Sequence, residues 1–309
     1  MHKIKGVFSA ALTPLNEDYS INLNSFLSHC QWLLKQNLTG LGIFGTTGEA
    51  NAFNVDEKIK ALEFLIDNNI VSHQLMPGTG QCSVSDTVRF TKKCSALKVR
   101  AVLVLPAFFY KGVSDEGVIE YYRRVIEEVG DHNLHYVLYH IPQISGVSIT
   151  FDVIDKLTKL YPNNVVGMKD SSGDLDNMLK ITKFFSGFSL FSGSDSLALK
   201  VTKHGGAGAI TATSNISGRL LSFIVNNYKD ESSIEKFQEL QILQERIRQT
   251  LFTHEPVSAL KAFMSVKYNK NEWSRVNPPL QKIEDPENHK TVIGLMELIK
   301  KMDELVPPS

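Results

Sequence analysis

A lysine near the end of a short apolar run is the side chain of this sequence with the most distinctive potential chemistry. The run extends from Val165 to Asp170, and Lys169 is its penultimate residue. Such a run is typical of a buried strand in a parallel sheet, where a charged lysine is costly unless it is paired or its pKa is lowered. A neutral lysine amine is a nucleophile that forms Schiff bases with carbonyl substrates. Taken alone, the run more often indicates an ammonium that emerges into solvent past the strand.

A turn rich in glycine and threonine follows an earlier apolar run. It spans Gly45 to Glu49, and Thr46 and Thr47 lie between its two glycines. Two hydroxyls beside accessible backbone N–H groups can hold a small carboxylate, although an ordinary turn explains the pattern equally well. Residues 40–45 also match the G-x-G-x-x-G fingerprint, but no helix begins before Asn54. Because a dinucleotide needs a helix N-terminus directly after the glycines, we reject a nicotinamide site.

Two further positions carry groups that could transfer protons. Tyr139 lies at the end of a predicted strand, where a phenol can act as a proton relay, although packing is its commoner role. His140 should point to the opposite side of the same strand, and we interpret it as structural. Tyr110 is the third residue of an aromatic cluster that packing would explain.

The motif from Gly193 to Ser196 follows another predicted strand. Its aspartate, Asp195, could bind substrate hydroxyls, but helix capping is the default interpretation of an aspartate at this place.

A repeated strand–helix pattern positions these residues. Eight apolar runs, each followed by a segment of helical periodicity, begin near Gly6, Gly40, Gln74, Ala101, His135, Val165, Phe188 and Gly206. Predicted helices include 24–34, 83–97, 114–129 and 150–160, and Asn54 and Glu57 form a capping box for another. This alternation predicts an α/β fold, a (β/α)8 TIM barrel, in which residues at the carboxyl ends of the strands are catalytic.

The strand signal ends near residue 228, and the remainder of the chain has helical periodicity. We predict helices at 231–251, 256–268 and 290–305. The predicted organisation is therefore a catalytic barrel over residues 1–228 and a helical region over residues 229–309 that packs on the barrel.

Composition excludes several other classes of protein. The chain has 309 residues, with 33 Lys and Arg balanced by 33 Asp and Glu, so neither nucleic acid nor a membrane surface is an expected partner. Its three cysteines lack metal-ligand spacing, and no signal peptide or membrane-length apolar segment is present. We expect a cytoplasmic protein that acts on a small molecule.

The motifs, in this order and at these spacings, resemble the family of N-acetylneuraminate lyase and dihydrodipicolinate synthase. The segments that carry the resemblance are 45–49, 139–142, 167–173 and 193–195. The resemblance implies a (β/α)8 barrel with a C-terminal helical region, usually assembled as a homotetramer. It also implies a class I lyase that forms a Schiff base with pyruvate or a related 2-keto acid and needs neither a metal ion nor an organic cofactor.

The same resemblance implies roles for individual residues. Lys169 would form the Schiff base, and Tyr139 would relay protons. Thr46 and Thr47 would hold the keto-acid carboxylate and orient the phenol. The other positions that would line the substrate pocket are Ser171, Gly193 and Ile210. Tyr110, or Phe109 if the alignment shifts by one residue, would match an aromatic side chain that a neighbouring subunit contributes to the site.

Departures from the family pattern indicate which substrate is used. Ile144 stands where the synthase branch has an arginine that binds the carboxylate of its aldehyde substrate. Ser196 stands where the sialic-acid lyase branch has an acidic residue, whereas Asp195 is retained. We therefore expect cleavage of a 2-keto-3-deoxy sugar acid. Dihydrodipicolinate synthase (4-hydroxy-tetrahydrodipicolinate synthase), N-acetylneuraminate lyase and a catalytically silent keto-acid-binding protein stay open as alternatives.

Overall fold

The chain alternates between strands and helices along most of its length. The computed structural model describes residues 4–229 and 234–306. The strands in these residues are β1 (Gly6–Ala10), β2 (Gly40–Gly42), β3 (Ala101–Val104), β4 (His135–His140), β5 (Val165–Asp170), β6 (Ser189–Ser192) and β7 (Gly208–Thr211). The helices are α1 (Leu23–Leu34), α2 (Val55–Asp67), α3 (Val84–Ala96), α4 (Asp115–Val129), α5 (Pro142–Ser145), α6 (Phe151–Leu160), α7 (Leu175–Phe184), α8 (Asp195–Lys203), α9 (Ser214–Asn227), α10 (Ile234–Leu251), α11 (Pro256–Tyr268) and α12 (Lys290–Leu305).

By backbone proximity, the described residues fall into two units. The first unit contains the N-terminal residues up to Gly6 together with Val71–Ile210, and the second contains Val7–Ile70 together with the chain from Thr211 onward. The division between a barrel at 1–228 and a helical region at 229–309 stays a prediction.

The first unit contains a parallel sheet in which each strand pairs with the next strand in the chain, from β3 to β7. Helices connect these strands, and side-chain caps fix where they begin. Ser114 accepts a hydrogen bond from Gly117 N at the start of α4, and Thr150 accepts one from Val153 N at the start of α6. Tyr122 of α4 is fully buried and donates to the Val104 carbonyl oxygen at 2.9 Å, which fixes the helix on β3.

The second unit combines the parallel pair β1 and β2 with helices α1, α2 and α9 to α12. A buried amide connects its parts. The Nδ2 of Asn215 in α9 donates to the carbonyl oxygens of Ala10 and Ala212, both at 2.8 Å. The Oδ1 of the same amide accepts from Leu12 N at 3.0 Å and lies 3.0 Å from His29 Nε2. Both polar atoms of the Asn215 side chain therefore form hydrogen bonds, either to backbone groups or to His29 of α1.

The third predicted strand, near Gln74, is wrong. Within the described residues this region contains a 3₁₀ turn, Ser72–Gln74, and isolated bridge positions at Leu75 and Gly78, and Gly78 pairs in parallel with Leu103. Leu103 N donates to the Pro77 carbonyl oxygen, and Thr79 N donates to the Leu103 carbonyl oxygen. Because Pro77 has no N–H group, the pairing with β3 does not extend further toward the N-terminus.

Most other element bounds agree with the sequence patterns. The helices predicted at 24–34, 83–97, 114–129 and 150–160 lie within one residue of α1, α3, α4 and α6 at each end, and α11 and α12 have the predicted bounds. The capping box of Asn54 and Glu57 is present. α10 is described from Ile234, so its predicted start at residue 231 lies outside the described residues. β2 is short and ends at Gly42, because Phe44 has a φ of 55°, which is incompatible with a strand.

Candidate active site

Lys169 lies on the buried strand β5, one residue before its carboxyl end. Its side chain is 5% exposed. In register, Lys169 lies beside Tyr139 of β4 on one side and Phe191 of β6 on the other. Because residues in register on neighbouring parallel strands project from the same face, these three side chains share one face of the sheet. Lys169 and Tyr139, each placed near the end of a strand by the sequence, therefore lie beside each other on adjacent strands.

The amine and the phenol ring are in direct contact. Lys169 Nζ lies 4.2 Å from the centroid of the Tyr139 ring, and Tyr139 is 4% exposed. A cation this close to an aromatic face is attracted by the ring quadrupole, which holds the flexible lysine in one place. An amine and a phenol ring thus lie side by side in a largely water-excluded position, and Schiff-base chemistry uses one group of each kind.

On the opposite face of the same strands, the polar side chains form hydrogen bonds with neighbouring residues of the fold. Asp170 is completely buried and accepts hydrogen bonds from Ser172 N (2.8 Å), Ser172 Oγ (2.6 Å) and Asn177 Nδ2 (3.1 Å). His140 Nδ1 accepts from Ile149 N at 3.0 Å, and burial lowers the pKa of this histidine while the nearby Asp170 raises it. These contacts agree with the structural interpretation of His140.

Ser171 and Gly193 meet where β5 and β6 end. Ser171 N donates to the His140 carbonyl oxygen at 2.8 Å, and Gly193 N donates to the Asp170 carbonyl oxygen at 2.7 Å. A Cβ atom at Gly193 would lie 2.0 Å from Ser171 Oγ, so only glycine allows this close approach. Both residues were predicted to line the pocket, and the structure brings them together directly beyond the strand that holds Lys169.

The remaining predicted residues of this unit lie on β6, α8 and β7. Asp195 is completely buried as the first residue of α8, and the N-cap is Ser194, so the default interpretation of Asp195 as the capping residue is wrong. Ser196 follows it in the helix and is half-buried. Ile210 is fully buried in β7. The roles of Asp195, Ser196 and Ile210 toward a substrate stay predictions.

Two predicted residues lie at the surface, one in a loop and one in a short helix. Tyr110 is 75% exposed, and Ile144, in the short helix α5, is 62% exposed. The side chain of Lys111 joins these loops: its ammonium donates to the carbonyl oxygens of Phe108 and Ser145. Two large apolar side chains are thus presented to solvent from loops that are hydrogen-bonded to each other.

The threonine turn lies in the second unit. Gly48 N donates to the Gly45 carbonyl oxygen and Glu49 N to that of Thr46, both at 3.1 Å, and these bonds close the turn. Thr46 is exposed and Thr47 is 8% exposed. A Cβ atom at Gly48 would lie 2.7 Å from the Ala11 carbonyl oxygen, which explains the glycine. The binding role of Thr46 and Thr47 stays a prediction.

One feature of this turn escaped the sequence patterns. The carboxylate of Glu49 forms an ion pair with Lys261 of α11, and both side chains are buried. A lysine among the apolar residues 259–264 was the available signal, since a lysine in a buried helical segment needs a counter-charge.

Two further observations concern metal-ligating side chains and apolar helices. Among residues 4–229 and 234–306, no three His, Cys, Asp or Glu side chains are grouped so that they could hold a metal ion. No helix in the same residues is both long enough and apolar enough to cross a membrane.

Comparison with known proteins supports one family. The sequence model of the dihydrodipicolinate synthetase family matches residues 3–297. The chain is 33% identical over 225 residues to the 4-hydroxy-tetrahydrodipicolinate synthase of Listeria monocytogenes, an alignment that covers 72% of this chain and 75% of that protein.

Solved structures of the same fold include enzymes with different substrates. N-acetylneuraminate lyase from Fusobacterium nucleatum has a TM-score of 0.83 at 25% identity, covering 96% of this chain and 98% of that one. A variant of the 2-keto-3-deoxygluconate aldolase of Sulfolobus solfataricus has a TM-score of 0.87 at 19% identity, covering 98% and 99%. These likenesses show the predicted fold class, a TIM barrel, here with its third strand reduced to isolated bridges.

Proposed function

Because the chain belongs to the dihydrodipicolinate synthetase family and is a lyase of the aldolase type, we propose that it forms a Schiff base through Lys169 and cleaves a 2-keto-3-deoxy sugar acid. One observation carries the proposal: the buried Lys169 amine lies 4.2 Å from the centre of the Tyr139 ring at the carboxyl end of β5. Active sites of barrel enzymes lie at this end of the strands.

The proposed reaction uses these two groups in sequence. The Lys169 amine adds to the C2 carbonyl of the keto acid, and loss of water gives an imine. Tyr139, whose phenolic proton leaves with that water, then accepts the proton of the C4 hydroxyl, the C3–C4 bond breaks, and the aldehyde leaves. The electron pair of that bond enters an enamine on Lys169, which takes up a proton at C3. Hydrolysis of the resulting imine releases pyruvate and restores the amine.

Other residues of the proposed site would bind and orient the substrate. Thr46 and Thr47 would hold the carboxylate of the keto acid, because hydroxyls between glycines can donate to it. Ser171 and Gly193 would line the imine, which their contact at the end of β5 and β6 supports. Ile210, as a fully buried residue of β7, would line the same pocket.

Substrate choice depends on the residue at position 144. A site for aspartate semialdehyde must bind a second carboxylate, and burying that charge without a cation costs several kcal/mol. Ile144 offers no charge to it. A hydroxyaldehyde carries no such charge, and Asp195 and Ser196 offer hydrogen-bonding groups to its hydroxyls. The 33% identity to a Listeria monocytogenes synthase keeps synthase activity as the second candidate.

We also propose that the enzyme is a cytoplasmic homotetramer. Phe109, Tyr110 and Val113 are 72%, 75% and 43% exposed, and Ile144 is 62% exposed. Exposed apolar side chains in neighbouring loops are typical of a protein–protein interface. A subunit that covers these loops would bring Tyr110, or Phe109, to the active site of its neighbour and would exclude water from Ile144.

Trapping of the imine tests the proposed function. Pyruvate followed by borohydride should add one reduced adduct, located on Lys169 by peptide mass spectrometry, and Lys169→Ala should abolish it. Lys180→Ala is the matched control, because Lys180 Nζ also lies over an aromatic ring, 4.7 Å from the centroid of Phe151, but on α7. An adduct on another lysine, or one that persists in Lys169→Ala, contradicts the assignment.

A panel of substrates separates the candidate activities. The wild type is assayed for cleavage of 2-keto-3-deoxy sugar acids and of N-acetylneuraminate, and for condensation of pyruvate with aspartate semialdehyde. Faster condensation than cleavage of any sugar acid identifies a synthase. A chain that forms no imine with any keto acid is a silent binding protein.

A further inference from the structure

The threonine turn is held by two residues with left-handed backbone conformations. Phe44, just before the turn, has a φ of 55°, and Glu49, at its end, has a φ of 56°. This region disfavours residues other than glycine, by about 1 kcal/mol or more each, and persists where surrounding contacts impose it. The Phe44 ring packs on Phe26, with the ring centroids 5.8 Å apart. Both ends of the turn are therefore fixed by buried side chains.

The contacts of Glu49 form a closed polar network within the second unit. One carboxylate oxygen pairs with the ammonium of Lys261, which is fully buried on α11. The other oxygen accepts hydrogen bonds from Asn277 N at 2.6 Å and Asn277 Nδ2 at 3.2 Å. The ammonium also donates to the Arg275 carbonyl oxygen at 2.7 Å. The network thus connects the turn to α11 and to the segment 275–277.

A network of this kind is poorly explained by stability alone. A buried ion pair stabilises a fold little more than apolar side chains of the same volume, because both charges must lose their hydration. Burial lowers the pKa of Lys261, and the charge of Glu49 opposes that change. The pair instead fixes the position of the Glu49 carboxylate, since charge-assisted hydrogen bonds hold such a group in one geometry. That position determines where the backbone of Thr47 lies, two residues away.

We propose that Glu49, Lys261 and Asn277 are positioning residues that hold the threonine turn in the geometry that binds the carboxylate of the keto acid. The inference rests on the proposed function of Thr46 and Thr47. None of the three touches the substrate in this scheme. Their loss weakens pyruvate binding, while the chemistry of Lys169 at saturating pyruvate is retained.

The experiment measures how much pyruvate is needed to form the reduced adduct on Lys169. The variants are Glu49→Gln, Lys261→Met, the double variant and the milder Asn277→Ala. Lys267→Met is the matched control, since it makes the same substitution on the same helix at an exposed lysine. A urea melt of each protein defines the conditions under which it is folded.

Each single substitution in the ion pair should raise the half-saturating pyruvate concentration about tenfold, which corresponds to ~1.4 kcal/mol of binding free energy. Asn277→Ala removes one hydrogen bond and should raise it about threefold. The half-saturating concentration of the double variant should not exceed that of the single variant that binds pyruvate less tightly, because both residues act through one interaction. The maximal adduct and the control should be unchanged.

The outcomes separate this inference from the proposed function. If the wild type forms no adduct on Lys169, both fail. If the wild type forms it, but folded variants and the control share one half-saturating concentration, only the positioning role is overturned. Effects of Glu49→Gln and Lys261→Met that multiply in the double variant also overturn it. Should neither ion-pair variant fold, Asn277→Ala decides: an unchanged half-saturating concentration refutes the proposal.

Discussion

His29 should make the stability of this protein fall steeply in mild acid. It is 1% exposed on α1, and its Nε2 lies 3.0 Å from the Oδ1 of Asn215. Because that oxygen also accepts from Leu12 N, His29 Nε2 must be the donor. Its Nδ1 has no hydrogen-bond partner among the described residues, and the ring packs against Trp32 and Trp273, with centroids 5.9 and 4.9 Å away. A second proton on this ring would have no acceptor.

The magnitude follows from the pKa of this histidine in the two states. Burial lowers the pKa of His29 from 6.5 to about 4; the bond to Asn215 opposes the change, and the charge of Lys267 adds to it. Below pH 6.5 His29 is protonated in the unfolded chain, whereas in the folded chain it is not protonated until about pH 4. The contribution of neutral His29 to stability is therefore fully present above pH 6.5 and is lost as the pH falls from 6.5 to about 4. At ~1.36 kcal/mol for each pKa unit, the loss amounts to about 3 kcal/mol.

Urea unfolding between about pH 7 and about pH 4 measures this loss, with His29→Gln as the test variant. Glutamine retains an N–H donor for Asn215 and cannot titrate. The free energy of unfolding of the wild type should fall by about 3 kcal/mol more than that of the variant over this range. His204→Gln, at an exposed histidine, is the control and should follow the wild type. Parallel curves for the wild type and His29→Gln would refute the reasoning.

Two further predictions concern the proposed reaction. Tyr139→Phe removes the phenolic hydroxyl but keeps the ring beside Lys169, so turnover should fall by roughly two to four orders of magnitude with an unchanged urea melt. A rate near that of the wild type would show that Tyr139 only packs. Ile144→Arg should increase condensation of aspartate semialdehyde relative to cleavage of a sugar acid, because it supplies a cation for the second carboxylate. An unchanged ratio of the two rates would mean that position 144 does not contact the acceptor.

The arrangement of Lys169 and Tyr139 could be predicted from the sequence because it depends only on local periodicity. Each residue lies one position before the end of a short, largely apolar run, and successive runs separated by helices become neighbouring parallel strands. Their register, which places Tyr139 beside Lys169, follows from both runs ending at the same edge of the sheet. The irregularity between Tyr136 and Val137, where Val166 is passed over in the pairing, could not be read from the sequence because both strands consist of similar apolar residues.

The third strand and the ion pair could not be predicted, for two different reasons. An apolar run near Gln74 resembles a strand, but Pro77 lacks the N–H group needed for a longer ladder. The partners of Glu49 are distant in sequence, with Asn277 separated from it by 228 positions. No periodicity connects such residues. A lysine in an apolar helical segment indicates that a counter-charge exists, but it does not identify Glu49.

Two adjacent residues of β5 have different contacts because their side chains lie on opposite faces of the sheet. Lys169 and Asp170 are neighbours in sequence, but alternation along the strand sends their side chains to opposite faces. Asp170 is satisfied there by three hydrogen bonds from Ser172 and Asn177. To serve as a counter-ion for Lys169 it would have to give up these three hydrogen bonds and leave the part-buried donors without their acceptor. The amine lies instead over the Tyr139 ring, a neutral partner, and in the proposed function its nitrogen forms the imine.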